Sequence, residues 1–493
     1  MVPELRAPSS SSAASADSSI ACSVNSEKGL IDDYSKTPYA EAKSMADPLP
    51  ITVAGDSEDD EVIEFKQPLR KKQQVALLIS GFFATFMVSG LTQSYGVFQS
   101  FHPHHLGHPD ALLPDHDAKK RGLLALVGTL CSTSIALILG IFMTPILDNT
   151  TSTKWFFGER SGVTWLMAGG SILLGLGYFL SAFVRNLWQL ILTQGLMAGV
   201  GGALLFYPVQ TISPEYFKSH RALAFGIQAS GSGLGGFTFS FLLHELLERL
   251  GIRKTFHVLA GSNLIVGLLL ALITPPPRPV TTPRKFLPKS VRSQPLFYML
   301  MATGFIFSMA LGQPSIFGPD FGRSIALSAR NAAIWLAVMN GVGAPSRIAF
   351  GYIGDRYGRQ GTCLVTSCVG GIGALAFWLP AARLRSAACF WIFTILFGSG
   401  AAGFNQFISP ILLDLYGPEV YFSVNAAVAL ARGLGSLIGS PIGGAILGNR
   451  KEAKEHPEMY TWLIVFTASS LLISCVISTV IWLMTRRKPV KSG

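Results

Sequence analysis

From Val75 to Met484 the chain is a succession of about a dozen long apolar runs separated by short polar breaks. A helix needs roughly 20 apolar residues to cross a hydrocarbon core about 30 Å thick, and these runs reach that length. Lipid is therefore the solvent for most of this protein. The fold class expected is all-α: twelve transmembrane helices in two pseudo-symmetric six-helix bundles.

The runs fall near 75–98, 123–147, 163–184, 187–210, 222–243 and 256–274, then near 295–317, 331–353, 361–380, 387–412, 422–448 and 460–484. Between the two sets lies Pro275 through Arg292, too rich in proline and basic residues to span. The domains expected are a Ser-rich tail at 1–72, a first bundle at 73–275, a linker at 276–293, a second bundle at 294–485 and a short end at 486–493. The tail is poor in aromatics and carries an acidic block from Asp56 to Glu64. Such a segment cannot bury enough apolar surface to offset its ordering entropy, so disorder is expected there. No signal peptide is expected, because a polar stretch precedes the first apolar run.

Charged residues make up only 14% of the 493, against about 25% in ordinary globular chains. The net charge of +11 would suit a nucleic-acid partner, but the basic residues sit in short clusters between the runs. That is the pattern of an orientation signal, and it argues against nucleic acid. Arg70 to Lys72, the central linker and Arg486 to Lys491 place both termini on the cytosolic side of a multi-pass protein, with the plasma membrane as the expected location. The six cysteines show neither a disulfide framework nor zinc spacing. His102, His104, His105, His108 and His116, with Asp115 and Asp117, are expected to form a solvated loop, with no metal site. No phosphate-cradling loop or nucleophile–base grouping appears, so the chain reads as neither an enzyme nor a cofactor protein.

Internal symmetry is visible. Gly231-Ser-Gly-Leu-Gly-Gly236 aligns with Gly439-Ser-Pro-Ile-Gly-Gly444, and Gly199-Val-Gly-Gly202 with Gly398-Ser-Gly-Ala-Ala-Gly403. Glycines at such spacing let helix backbones approach closely in lipid, and repeats are a common way to build transporters.

Two arginines lie inside apolar runs, Arg347 and Arg432. Each would cost about 2.5–3.5 kcal/mol at the middle of a bilayer, so each should face a wet cavity or a partner. Asn340 and Arg347 are seven apart, as are Asn425 and Arg432, and each pair shares a helix face. These faces are candidate cavity walls for a carboxylate or other polar anionic group, for which the guanidinium fork is suited. For Arg347 the competing readings are a structural ion pair or snorkelling, and for Arg432 a bond to backbone. Thr85, Ser89 and Gln93 form a stripe with Tyr95 near its end, and Asn405 and Ser409 form another. Gln194, Tyr207 and Gln228 complete the candidate set.

The segment Gly351-Tyr-Ile-Gly354-Asp355-Arg356-Tyr-Gly358-Arg359 resembles the G-x-x-x-D-R-x-G-R signature of the major facilitator superfamily. In that family the motif latches the cytosolic side, so the resemblance implies a gate built from Gly351, Gly354, Asp355, Arg356, Gly358 and Arg359. Of the first-half copy only Asp148 remains. Thr193 to Pro208, Tyr216 to Gly226, Gly231 to Gly236 and Ala431 to Gly444 look like spans of the monocarboxylate-porter branch, whose fungal members often carry Ser-rich tails. Proton-coupled animal members place a Lys and an Asp where this chain has Gln93 and Gly343. The arginine that many proton antiporters carry is Ile191 here.

The resemblance implies a monomeric carrier of a small organic solute, anionic or polar, working by alternating access, with a proton or other ion gradient as candidate coupling. Efflux of a fungal secondary metabolite is the expected direction. Uptake of a monocarboxylate or similar nutrient is the alternative, and a non-transporting nutrient sensor on the same fold is the rival from another class.

Overall fold

The computed structural model describes residues 71–104, 112–114, 121–138, 162–217, 220–275, 287–400, 403–447 and 456–486. The Ser-rich tail, Asp148, the histidine-rich loop beyond His104, most of the central linker and the last seven residues lie outside them.

Regular structure among the described residues is helical throughout. The first bundle contains α1 (Lys71–Gln93, continued by Tyr95–His104), α2 (Arg121–Ile138) and α3 (Gly162–Ser181). It continues with α4, made of Leu187–Leu190, the π-wound Ile191–Met197 and Ala198–Tyr216. The 53-residue element Arg221–Ile273 breaks at Gly251 into α5 (221–250) and α6 (252–273). The second bundle contains α7 (Pro295–Leu311 and Gln313–Ser324), α8 (Ala329–Tyr357) and α9 (Arg359–Leu384). Its remainder is α10 (Ala387–Gly400, then 403–416), α11 (418–447, after a break at Gly417) and α12 (Thr461–Arg486).

Nine helices among the described residues are long and apolar enough to cross a membrane. Twelve runs were expected, and three features account for the difference. Gly251 reverses the chain at φ 75° without adding a loop, so α5 and α6 count as one helix. α2 is described only to Ile138. α8 carries Asn340, Arg347, Asp355 and Arg356, which lower its hydropathy. The break expected between the tenth and eleventh runs is likewise a single glycine, Gly417 at φ 71°, a left-handed backbone that favours Gly.

Lipid offers no hydrophobic push between helices, so close backbone packing must hold the bundles together. In the first half Gly231 and Gly235 of α5 back onto the Phe82 and Phe86 carbonyls of α1. In the second half Gly435 and Gly439 of α11 back onto the Phe305 and Met309 carbonyls of α7. The structural equivalence therefore pairs Gly231 with Gly435, one helical turn from the sequence alignment with Gly439. A small-residue period of four makes adjacent turns interchangeable in sequence, and only the carbonyls opposite separate them. The other repeat keeps its alignment. Gly199 and Gly201 rest on α2 and α3, while Gly398 and Gly400 rest on α8 and α9.

The halves meet along two seams. Helix α5 packs on α8, and the 403–447 element packs on α2. This arrangement leaves a space between the bundles, walled by α1, α2, α4, α5, α7, α8, α10 and α11.

Candidate functional site

The space between the halves is a cavity of about 410 Å3. Gln93, Tyr95, Tyr207, Asn340, Arg347, Asn405 and Arg432 all line it, as do Thr85, Ser89, Ser409 and Asn425. The two seven-residue pairs and the two polar stripes thus share one hollow, because every helix concerned presents its polar face inward.

Gln194 and Gln228 are not on this wall. Gln228 is fully buried where α5 meets α1 and α4, bonded with Ser213 (Nε2 to Oγ, 2.6 Å) and donating to the Leu77 carbonyl at 3.3 Å. Gln194 is buried in the π-wound turn of α4, beside Gly195, which backs onto α2. A polar residue in an apolar run faces either a cavity or a helix seam, and these two face seams. Sequence reasoning passed over other lining residues: Thr92, Gln210, Gln406, Ser436 and Ser440. Ser436 and Ser440 continue the Arg432 face at i+4 and i+8, a signal that was readable.

The arginines differ in their surroundings. Arg347 is 8% exposed, and its Nη1 is buried without an acceptor. Its head group rests on a glycine face of α5, where a Cβ on Gly233 would come within 2.5 Å of Nη1. The same face accommodates Asn340 at Gly236. The Arg347 carbonyl accepts a bond from Gln406 Nε2 at 2.7 Å. Arg432 donates from Nη2 to Asn405 Oδ1 at 2.5 Å, while its Nε is buried without an acceptor. Among the described lining residues there is no Asp, Glu, Lys or His. Neither guanidinium has an acidic partner among the described residues, so the competing reading of a structural ion pair at Arg347 is not seen there. The hollow thus carries two positive charges compensated only by neutral dipoles. Each is costly in this setting, and an anion beside either guanidinium would lower its cost.

The Gly351–Arg359 segment spans the end of α8 and the start of α9, against the first turn of α5. Asp355 lies in the last turn of α8, eight residues beyond Arg347, about 12 Å along the axis at 1.5 Å per residue. Its carboxylate accepts from the backbone N–H groups of Ala222 (3.1 Å) and Leu223 (2.8 Å) in the first turn of α5. A helix N-terminus has unpaired donors and a positive dipole end, so a carboxylate is the natural cap. Arg359 donates to Asp355 Oδ1 from Nε and Nη2 at 3.0 and 2.9 Å, and to Asp414 Oδ2 from Nη1 at 2.5 Å. Arg221 then reaches Asp414 Oδ1 at 3.0 Å from the first half.

Arg359 is thereby linked to the first half through Asp414, a residue that sequence reasoning missed. Asp414 sits one turn before the Gly417 break, 55 residues from Arg359, and no local pattern links them. Arg356 is exposed, with its guanidinium 5.5 Å from the Tyr357 ring centre. Gly351 lies against the Ala222 carbonyl, Gly354 against Phe407, and Gly358 turns the chain at φ 109°. Among the described residues no group of three or more His, Cys, Asp or Glu could hold a metal ion.

A sequence model of the Major Facilitator Superfamily matches residues 77–440. The MFS transporter asaE of Aspergillus flavus is 25% identical over 412 residues, covering 81% of this chain and 85% of that one. The agnestins efflux protein AgnL12 of Paecilomyces divaricatus is 23% identical over 420 residues, covering 85% and 88%. Among solved structures, a bacterial homologue of the iron transporter ferroportin in the outward-facing state has a TM-score of 0.56 at 14% identity. It covers 83% of this chain and 99% of that one.

Proposed function

The chain belongs to the major facilitator superfamily and is an integral membrane protein, and on that premise we propose that it exports a small organic acid of fungal secondary metabolism by alternating access. The observation that carries the reading is the pair of uncompensated guanidinium groups, Arg347 and Arg432, in a cavity whose described lining has no acid. An anion is the complementary solute. Gln93, Tyr95, Tyr207, Asn340, Asn405 and the two arginines form its binding site, and Gln194 and Gln228 support the helices around it.

The Asp355 end is the cytosolic gate. In the closed arrangement Asp355 caps α5, while Arg359 and Arg221 share Asp414 across the halves. The solute then has access from the other side, since the lining runs from the level of Arg347 away from the gate, to Tyr95 on α1 and Ser440 on α11. When the halves rock, the α5 N-terminus withdraws from Asp355 and the cavity empties or fills on the cytosolic side. A gradient of the solute or of an ion drives the cycle. The functional unit is one chain, in the plasma membrane, with both termini in the cytosol.

Export is favoured over uptake because relatives such as AgnL12 are named as efflux proteins. The test compares metabolites in medium and cells of a fungal host with and without the protein. An acidic compound should move to the medium when the protein is present, and Arg347→Gln should abolish that shift at unchanged membrane abundance. A shift unchanged by Arg347→Gln would remove the cavity from the mechanism.

A further inference from the structure

We propose that the solute is a diacid, with one acid group for each cavity arginine; this rests on the anionic reading above and narrows it. Three buried donor atoms on the second-half wall lack acceptors: Arg347 Nη1, Arg432 Nε and Asn340 Nδ2. They come from two helices, α8 and α11, so they cannot be exhausted by one small group held on one helix face. The partner that Arg432 does have, the Asn405 carbonyl oxygen at 2.5 Å, is a neutral dipole that orients the guanidinium and leaves its charge uncancelled.

Two acids on neighbouring described turns are engaged elsewhere. Asp355 holds the α5 N-terminus and Arg359, and Asp414 is shared by Arg359 and Arg221. A monoacid would neutralise one guanidinium and leave the other without an acidic partner among the described residues. Such an uncompensated charge is the costly state, and a second carboxylate removes it.

The opposite wall sets the rest of the molecule. Its described first-half side chains are uncharged and mostly polar, with hydroxyls such as Thr85, Ser89 and Ser132 and the Gln93 and Gln210 amides, beside the Phe206 and Phe225 rings. The body of the solute is therefore uncharged, with hydrogen-bonding groups beside an apolar or aromatic part. The volume of about 410 Å3 accommodates one such body with two acid groups.

The test uses the purified full-length protein in detergent, with benzoate, the three benzenedicarboxylates and neutral benzamide as probes on one ring scaffold. Affinity is read from the ligand-dependent rise in unfolding temperature, in chloride-free buffer. At least one diacid should bind about tenfold or more tighter than benzoate, the gain of one further charge-assisted contact. Arg432→Gln and Arg347→Gln should each collapse that ratio towards one, and Arg432→Lys should keep part of it. The unliganded unfolding temperature of each variant shows that it is folded.

Equal binding of benzoate and all three diacids, with benzamide inert, overturns the diacid and leaves the anionic reading standing. Benzoate matching the diacids only after chloride is added gives the second arginine to an inorganic anion, and also overturns it. Benzamide binding as well as the acids, or no probe binding, brings down the anionic reading and the diacid together.

Discussion

Gln228 on α5 and Arg432 on α11 occupy equivalent places in the two halves, and they have opposite fates. Each lies one turn before the glycine pair that packs its helix against the first helix of its half. Each rests on a glycine of that partner, Gly81 of α1 under Gln228 and Gly304 of α7 under Arg432. Gln228 is sealed, with its amide satisfied by Ser213 and the Leu77 carbonyl. Arg432 opens onto the cavity with one nitrogen held and another unpartnered. The packing plan is repeated between the halves, but the chemistry is not. Among the described lining residues charge lies in the second half alone, so the first half is free to supply neutral surface and, at α5, the glycine face against which Arg347 lies.

The largest effect expected tests that division directly. Arg347→Gln should lower solute flux by about 30-fold or more at normal membrane abundance, since a buried charge contact of this kind is worth about 2–5 kcal/mol. The measurement is flux per molecule of protein in reconstituted vesicles. A residual rate above a tenth of wild type would place the solute elsewhere.

Exchanging the chemistry of the equivalent seats should next separate folding from transport. Gln228→Arg puts a charge where no cavity receives it, and a loss of about 3–5 kcal/mol in stability is expected, read as depletion from the membrane and a lower unfolding temperature. Arg432→Gln should stay within about 1 kcal/mol of wild type in stability, because it removes an uncompensated charge, yet it should lose transport. Equal stability of the two variants would mean that the seats are not as different as their hydrogen bonds indicate.

A smaller effect belongs to the gate. Asp355→Asn weakens a charge-assisted cap on α5 and the link to Arg359. A cap in such a partly buried geometry contributes about 1–2 kcal/mol. The gate-open population should rise by roughly tenfold. A cysteine placed at Gln210, near the cavity floor, should then react faster with a soluble thiol reagent added from the Asp355 side. An unchanged rate would make Asp355 a structural cap with no part in gating.

Much of this was legible in the residues, for definite reasons. Lipid forces helices, so the all-α class and most helix positions followed from run length. The seven-residue spacing of Asn340 with Arg347 and of Asn425 with Arg432 put each pair on one face, and those faces do line one hollow. Periodicity could not say which polar face meets a cavity and which meets a neighbouring helix, and that is why Gln194 and Gln228 were grouped with Gln93. The partnership of Asp414 with Arg359 and Arg221 was invisible because it is set by the approach of three distant helix ends. The one-turn shift in the glycine repeat was hidden by its own periodicity.

The finest expected difference lies under the two seats. A methyl group at Gly81 would come within 2.5–2.7 Å of the Gln228 side chain, and one at Gly304 within 2.9 Å of Arg432 Cγ. Gln228 is enclosed and cannot move without breaking its bonds to Ser213 and Leu77, so Gly81→Ala should cost about 1–3 kcal/mol by overpacking. Arg432 has open space on its cavity side and can swing away on a flexible stem. Gly304→Ala should therefore cost less than about 1 kcal/mol in stability, while displacing the guanidinium enough to lower solute affinity by roughly three- to tenfold. Unfolding temperature and binding measured on the same two variants check this. If Gly304→Ala proves the more destabilising, Arg432 is clamped as tightly as Gln228, and the second-half seat belongs to the scaffold rather than to the solute.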